Sequence, residues 1–379
     1  MTDNILKKSL DVTNEDFLKR IYEAKSKPMW RALTMLFGEI VTGRSTLVSD
    51  LSLPLRENST MSERKRAQER VSGWLENYNF VEEAGGWLLK NIPETGLDGL
   101  TFAVDFSDIS KVFGGDGMEG MSMGRDGSTG DIRMGHDFIC VSLVGAAYPE
   151  ALPVYVKLGR GRKGHAELIK EAIGAIMAHT GGKGWIVEDR GMDDAEHLRD
   201  LKRENRKAVV RVKKMDRDVF GDGRTIDESM KSAEFADVML TVRTGNRRTK
   251  VRCRPGVIQY CANPKSKSAV TEDVRVLVVE SRFDGKSIYL YVVCPDWVLT
   301  SPVQMAIYAE RAAQAYCDRW QIETSFFVMK QEFALEKARV RTFKRLNNIF
   351  TLCVLAYVYA TQFLRKAKGF RKILKYLSD

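Results

Sequence analysis

Three short apolar runs, LTFAVDF from Leu100, HDFICVSLVGAA from His136 and LPVYVKLG from Leu152, open the middle of this chain. An amphipathic stretch over 165–179 follows, then the run GWIVED, a short helical segment over 193–204 and the run KAVVRV. No other feature narrows the fold as much. Strand-length runs that later alternate with helical segments specify an α/β fold, a mixed sheet flanked by helices. The first two runs are separated by a Gly-rich stretch over 114–135, read as a loop, and the next two by Tyr148-Pro149. Upstream, residues 1–95 read as helical, with Phe17, Ile21, Trp30, Leu33, Leu36 and Phe37 at helical spacing. A second helix there opens on Thr60 with Glu63 three residues on, the pattern of a capping box. After Lys214 the chain turns to β structure again in DVMLTVRT, KVRCRP, VRVLVVESRF and SIYLYVVC. It becomes helical near Pro302 and stays so to about Glu336, with two more helices over 343–363 and 369–377.

Charge says where a partner binds. The chain carries a net +10, but residues 1–95 are neutral, with 14 basic and 14 acidic side chains. Residues 206–275 hold 17 basic against 9 acidic residues, and from Lys337 to the end there are 11 against 1. Two concentrated basic regions point to a polyanion, most simply nucleic acid, with solvated surface charge as the bland alternative. Six cysteines lie scattered without a C-x-x-C pair, as free thiols of a reducing compartment do. The start, MTDNILKKSL, lacks the apolar core of a signal peptide, and no apolar run approaches the ~20 residues of a membrane span, so no membrane role is expected. The Gly-rich stretch holds no P-loop pattern, so no nucleotide cofactor is expected either.

Asp105 ends the run Leu100–Val104 and Asp189 ends GWIVED. Acidic side chains at the ends of inner strands suggest ligands meeting at one edge of a sheet, against the alternative of a turn residue or a helix cap. Asp108 and Glu188 are local competitors, although on a strand Glu188 faces away from Asp189. In the helix after Pro302, Tyr316, Arg319, Glu323 and Lys330 fall within an arc of about 60° on one face. Their apolar neighbours Ile322, Phe326, Phe327 and Phe333 make an ordinary exposed Arg319–Glu323 pair the weaker reading. Carboxylates without histidine or cysteine partners suit Mg²⁺ or Mn²⁺, and such sites commonly hold two ions that act on a phosphodiester.

Tyr316-x2-Arg319-x3-Glu323-x6-Lys330 resembles the Y-R-E-K motif of DDE transposases from bacterial cut-and-paste insertion sequences, the insertion-sequence-four type. VDFSDISK is similar to that family's first-Asp strand and VEDRG to its second-Asp motif, so the resemblance maps Asp105, Asp189 and Glu323 onto the catalytic, metal-binding triad. It implies an RNase H-like sheet interrupted by a β-rich insertion, whose basic residues Arg243, Arg247, Arg248, Lys250, Arg252 and Arg254 are candidate DNA contacts. The interval between Asp189 and Glu323, far more than the dozen residues of a simple crossover, calls for an insertion independently. Expected boundaries are a helical DNA-binding region over 1–95 (Lys65 and Arg66 its candidates), core over 96–213, insertion over 214–300, core over 301–340 and C-terminal helices over 341–379. By the same resemblance Arg319, Lys330 and Tyr316 contact phosphates, and Trp297 or Trp320, with Tyr289 and Tyr291 as rivals and a core role as the alternative for both tryptophans, stacks on a flipped base of a hairpin intermediate; Arg190, next to Asp189, is a further candidate phosphate ligand. The implied partners are double-stranded DNA, at transposon ends and target, and a second copy of the chain, in a bacterial cytoplasm at the nucleoid. A nuclease of the same fold and a catalytically silent DNA-binding inhibitor are the alternatives.

Overall fold

The computed structural model describes residues 12–363, apart from 24, 44, 56–59, 112–116, 126–131, 161–163, 243–244, 263–269 and 284. The expected helix at 369–377 and Arg243 lie outside the described residues.

The middle of the chain forms strands β1 (Thr101–Ser110), β2 (Ser122–Arg125), β3 (Ile132–Val144), β4 (Leu152–Leu158), β5 (Trp185–Glu188) and β6 (Lys207–Arg211). β1 pairs antiparallel with β3, and the outer edge of β3 is shared by β2 and β4. The other edge of β1 pairs parallel with β5, and β5 with β6. The order β4-β3-β1-β5-β6, a meander followed by two parallel crossovers, is that of an RNase H-like fold. The crossovers are helices α5 (His165–Thr180) and α6 (Ala195–Arg203), as the sequence expects. One expectation fails. The Gly-rich stretch is not all loop, since β2 and the start of β3 lie in it; their glycines and methionines hide strands that exist only by pairing with each other and β1.

Beyond β6 the sheet continues. Strands β7 (Ala236–Val242), β8 (Gly245–Ala262), β9 (Val270–Phe283) and β10 (Lys286–Val293) follow, with β10 antiparallel to β6 and the order running β6-β10-β9-β8-β7. The segment read as an insertion is therefore β-rich and hydrogen-bonded into the same sheet. A short helix, α7 (Ile226–Met230), opens on its own capping box at Thr225.

Before β1 lie helices α1 (Lys27–Gly43), α2 (Val48–Leu51), α3 (Met61–Asn77) and α4 (Val81–Leu89). The capping box of α3 forms as expected, with Thr60 and Glu63 bonding each other's backbone. After the sheet comes α8 (Pro302–Phe327), about 39 Å long at 1.5 Å per residue. Ser301 caps it and Pro302 stands in its first turn. The last α-helix among the described residues, α9 (Phe343–Val358), is buried at every position from Asn348 onward, because it runs between the N-terminal helices and the sheet. Phe350 packs on Phe138 of β3 on one side, while Phe17 and Phe37 gather around Tyr359 on the other. Among the described residues no helix is long and apolar enough to cross a membrane.

Candidate active site

Asp105 and Asp189 are placed by strand register. β1 and β5 run parallel with Val104 beside Glu188, so each aspartate follows that pair by one residue; Asp189 lies just past the end of β5, whereas Asp105, expected at a strand end, stands midway along β1, which runs on to Ser110 by pairing with β3. Glu188 turns the other way, fully buried, with its carboxylate 2.8 Å from His197. Asp189 precedes a 3₁₀ turn over Arg190–Met192 but makes no cap bond to it, and α6 is capped by Asp194 instead. Thus neither aspartate is spent on capping. Asp108, three residues after Asp105, meets Lys330 at 2.9 Å.

α8 crosses the sheet here. It is pinned by Arg311, which donates to Gly99 O and Thr101, by Gln321, which accepts from Gly145 N, and by Gln314, which bonds both backbone polar groups of Thr241. That placement aims one helix face at the two aspartates. Arg319, only 4% exposed, lies 2.9 Å from Asp105, 2.8 Å from Glu323 and 3.9 Å from Asp189. Its guanidinium also sits over the Tyr316 ring, 5.4 Å from the centroid. The sequence-derived triad therefore converges, and the cation at its centre is a side chain.

Lys330 takes a different route from the one the helical spacing predicts. The α-helix ends at Phe327 and a π turn spans Val328–Glu332, closed by Phe333 N donating to Val328 O. Ala334 then adopts a left-handed conformation, φ 51°. Lys111, at the end of β1, donates to the carbonyls of Glu336 and Ala338 at 2.7 and 2.6 Å, and Thr46 donates to Ala334 O. These bonds bring Lys330 to Asp108 and within 3.6 Å of Glu336. Burial pushes the Lys111 ammonium down to about 8.

The electrostatics of the cluster follow from three acids sharing one guanidinium. Burial, opposed by Arg319 and reinforced by Asp189 and Glu323, pushes the Asp105 carboxyl up to about 7. Arg319 is held above its ordinary value: burial opposes its charge, and the surrounding carboxylates outweigh that. A further cation that the sequence reading missed is Arg211 at the end of β6, 3.7 Å from Asp189. It stands one strand over, and only the β5–β6 pairing reveals it.

As the side chains stand, the carboxylates gather around a guanidinium rather than a common point, and among the described residues no three acidic, histidine or cysteine side chains are arranged to share an ion. The donor set nevertheless suits one. Asp189 Oδ1 is sealed from solvent without a hydrogen bond, and the ligating atoms are all hard oxygens.

Residues 134–359 match the family described as Transposase DDE domain, well over half of the chain. The protein belongs to the DDE transposase family. Membership implies an enzyme of phosphodiester chemistry, and DDE transposases generally use divalent metal ions. Asp189 and Glu323 of this transposase lie inside the matched segment, whereas Asp105 precedes it and stands on the geometry of β1. Similarity to solved structures includes the piggyBac transposase synaptic complex with hairpin DNA, at 12% identity and a TM-score of 0.40, covering 96% of this chain and 74% of that one. No curated protein matches.

The other predicted contacts divide. Trp320 and Trp297 are 65% and 57% exposed, which rules out a core role for either, while their rivals Tyr289 and Tyr291 are buried and Tyr289 donates to Asp227. Arg190, Lys65 and Arg66 are exposed, as are Arg247, Arg248 and Lys250 on β8. Arg252 departs from the expectation: it is buried in an ion pair with Glu280 and stacked on Phe235, so it holds the sheet together rather than facing a ligand. Arg254 is half-buried, stacked on Phe220 and bonded to Ser229 O.

Proposed function

We propose that the protein mobilises a bacterial cut-and-paste element of the insertion-sequence-four type, with Asp105, Asp189 and Glu323 as the catalytic carboxylates. The observation that carries this is the gathering of Asp105 from the middle of β1, Asp189 from the end of β5 and Glu323 from α8 around Arg319 on an RNase H-like sheet. Those three side chains would hold Mg²⁺ or Mn²⁺, two ions per site. Bound there, the metal supplies activation of the attacking oxygen and stabilisation of the leaving one.

The chain's own residues do the rest. Arg319, Lys330, Arg190 and Tyr316 hold phosphates beside the scissile bond. Exposed Trp320, three residues before Glu323 on α8, stacks in this reading on a base drawn out of the duplex, with Trp297 as the alternative. Arg247, Arg248 and Lys250 on β8 grip the transposon end, with Lys65 and Arg66 of the N-terminal helices as a second contact. Two copies pair the two ends. Each nicks one strand, the freed 3′-hydroxyl attacks the opposite strand to form a hairpin, and the reopened end is joined to target DNA.

Glu323→Gln is the direct test. It keeps shape and hydrogen bonding but removes a ligand charge, so metal-dependent cleavage of a duplex carrying the element's terminal repeat should be lost while affinity for that duplex stays within a few-fold. Cleavage at wild-type rates would discard the assignment. Cleavage without joining, together with a gene lacking flanking inverted repeats, would mark a nuclease instead.

A further inference from the structure

We infer that Arg319 is an internal counter-cation that closes the carboxylate site to metal until a DNA phosphate draws the guanidinium away, so that metal and DNA bind cooperatively. The inference rests on the function proposed above and adds to it an order of events. A guanidinium among Asp105, Asp189 and Glu323, with bonds of 2.9 and 2.8 Å to two of them, occupies oxygens that an ion would need. The two cations cannot both stand there. A metal that enters must displace Arg319 from Asp105 Oδ2 and Glu323 Oε1, leaving a buried guanidinium without its partners. Free in solution, the ion pays that penalty alone.

A phosphodiester removes it. The guanidinium is a flat fork of donors that exchanges carboxylate for phosphate with little change in geometry. One donor is already uncommitted: Arg319 Nε is buried and makes no hydrogen bond. The side chain also has somewhere to go, since Glu323, its partner one turn along α8, is about a third exposed and marks the open side of the cluster. By linkage, whatever DNA gains from taking Arg319 appears as tighter metal binding, and metal tightens DNA by the same factor.

The test is a titration with Mn²⁺, followed by the loss of the free-ion electron paramagnetic resonance signal, on wild type and Arg319→Gln, each with and without a short DNA duplex. The expected result is weak binding to the wild type alone, tightened on the order of tenfold by the duplex. Arg319→Gln should bind Mn²⁺ about as tightly without DNA as the wild type does with it, and the duplex should add little. Glu323→Gln, alone or combined with Arg319→Gln, should abolish the binding in every arm. If Arg319→Gln binds Mn²⁺ no better than wild type while Glu323→Gln still abolishes it, the counter-cation role is overturned and the metal site stands. If Glu323→Gln changes nothing, both fall. The wild-type arms need no variant, so a DNA-independent Mn²⁺ affinity there overturns the coupling even if Arg319→Gln misfolds.

Discussion

Asn348 is where the last described α-helix and the α3–α4 junction depend on one side chain. It lies in α9 at 1% exposure, and its carboxamide is fully used: Oδ1 accepts from Phe80 N at 3.0 Å, while Nδ2 donates to Leu75 O at 2.8 Å and Tyr78 O at 3.0 Å. Those partners are the end of α3 and the start of α4, so one residue satisfies the backbone of the α3–α4 junction from 270 positions away. Asn348→Ala leaves one donor and two acceptors unpaired among apolar neighbours. At about 1–3 kcal/mol for each buried group left unmade, and with water reaching the half-buried Tyr78 side, the loss should be roughly 3–6 kcal/mol. Asn348→Asp should do no better, because a carboxylate would face two carbonyl oxygens. A chain of this length need not unfold in one step, so the sharpest readout is native-state hydrogen exchange at the Phe80 amide. Exchange there should accelerate by more than about a hundredfold, the factor that corresponds to 3 kcal/mol. Acceleration of less than about fivefold, with an unchanged urea midpoint, would show that the three bonds are replaceable and that the seam is held by apolar packing alone.

The basic residues of β8 should separate by role. Arg252→Ala breaks a buried ion pair with Glu280 and should cost about 3–5 kcal/mol in urea unfolding without altering the salt dependence of DNA affinity. Arg248→Ala and Lys250→Ala should do the opposite, each lowering the salt slope by about 1 and leaving stability within about 0.5 kcal/mol; equal slopes for all three variants would refute the division. A third expectation concerns pH. Burial pushes His197 down, but the Glu188 carboxylate outweighs it and holds the imidazole above its ordinary value. The pair's stabilisation is therefore complete below about pH 6.5 and is lost as pH rises through the higher folded value. His197→Gln should flatten that limb of the stability–pH curve, and a curve that keeps its slope would assign the titration to another group.

What the sequence revealed and what it hid follow a physical divide. The position of Asp189 is legible because an acid closing an apolar run is a local signal, and the shared face of Tyr316, Arg319 and Glu323 because helical spacing is; the same signal places Asp105 at a strand end, whereas β1 runs on through it to Ser110. The capping box at Thr60 was legible for the same reason. The π turn at 328–332 was not: the bonds around it come from Lys111 and Thr46, more than two hundred residues upstream, and nothing between Phe327 and Glu336 announces them. The sequence predicts a short strand ending at Pro255, yet β8 runs on to Ala262. Pairing with β7 stops at Val251, and Val257 N, of the same parity as Pro255, points outward to Val219 O. The proline therefore falls where the ladder with β9 loses no donor. Arg252 is buried where its charge predicts exposure, because its partner Glu280 lies on the next strand.

The continuity of the sheet bears on how such an enzyme keeps its substrate in line. β8, with Arg248 and Lys250, is joined to β5 and Asp189 by an unbroken ladder through β9, β10 and β6. α8 spans the same distance on one face: Gln314 bonds the backbone of β7, and Arg319, five residues later, meets Asp105 and Asp189 and pairs with Glu323. An insertion tethered only by loops could rock against the core. One tied by a ladder and a continuous helix holds its basic residues at a fixed offset from the carboxylates. Any duplex that meets both is positioned by the fold before metal or chemistry is involved, which leaves the short-range exchange of Arg319 between carboxylate and phosphate as the step that readies the site.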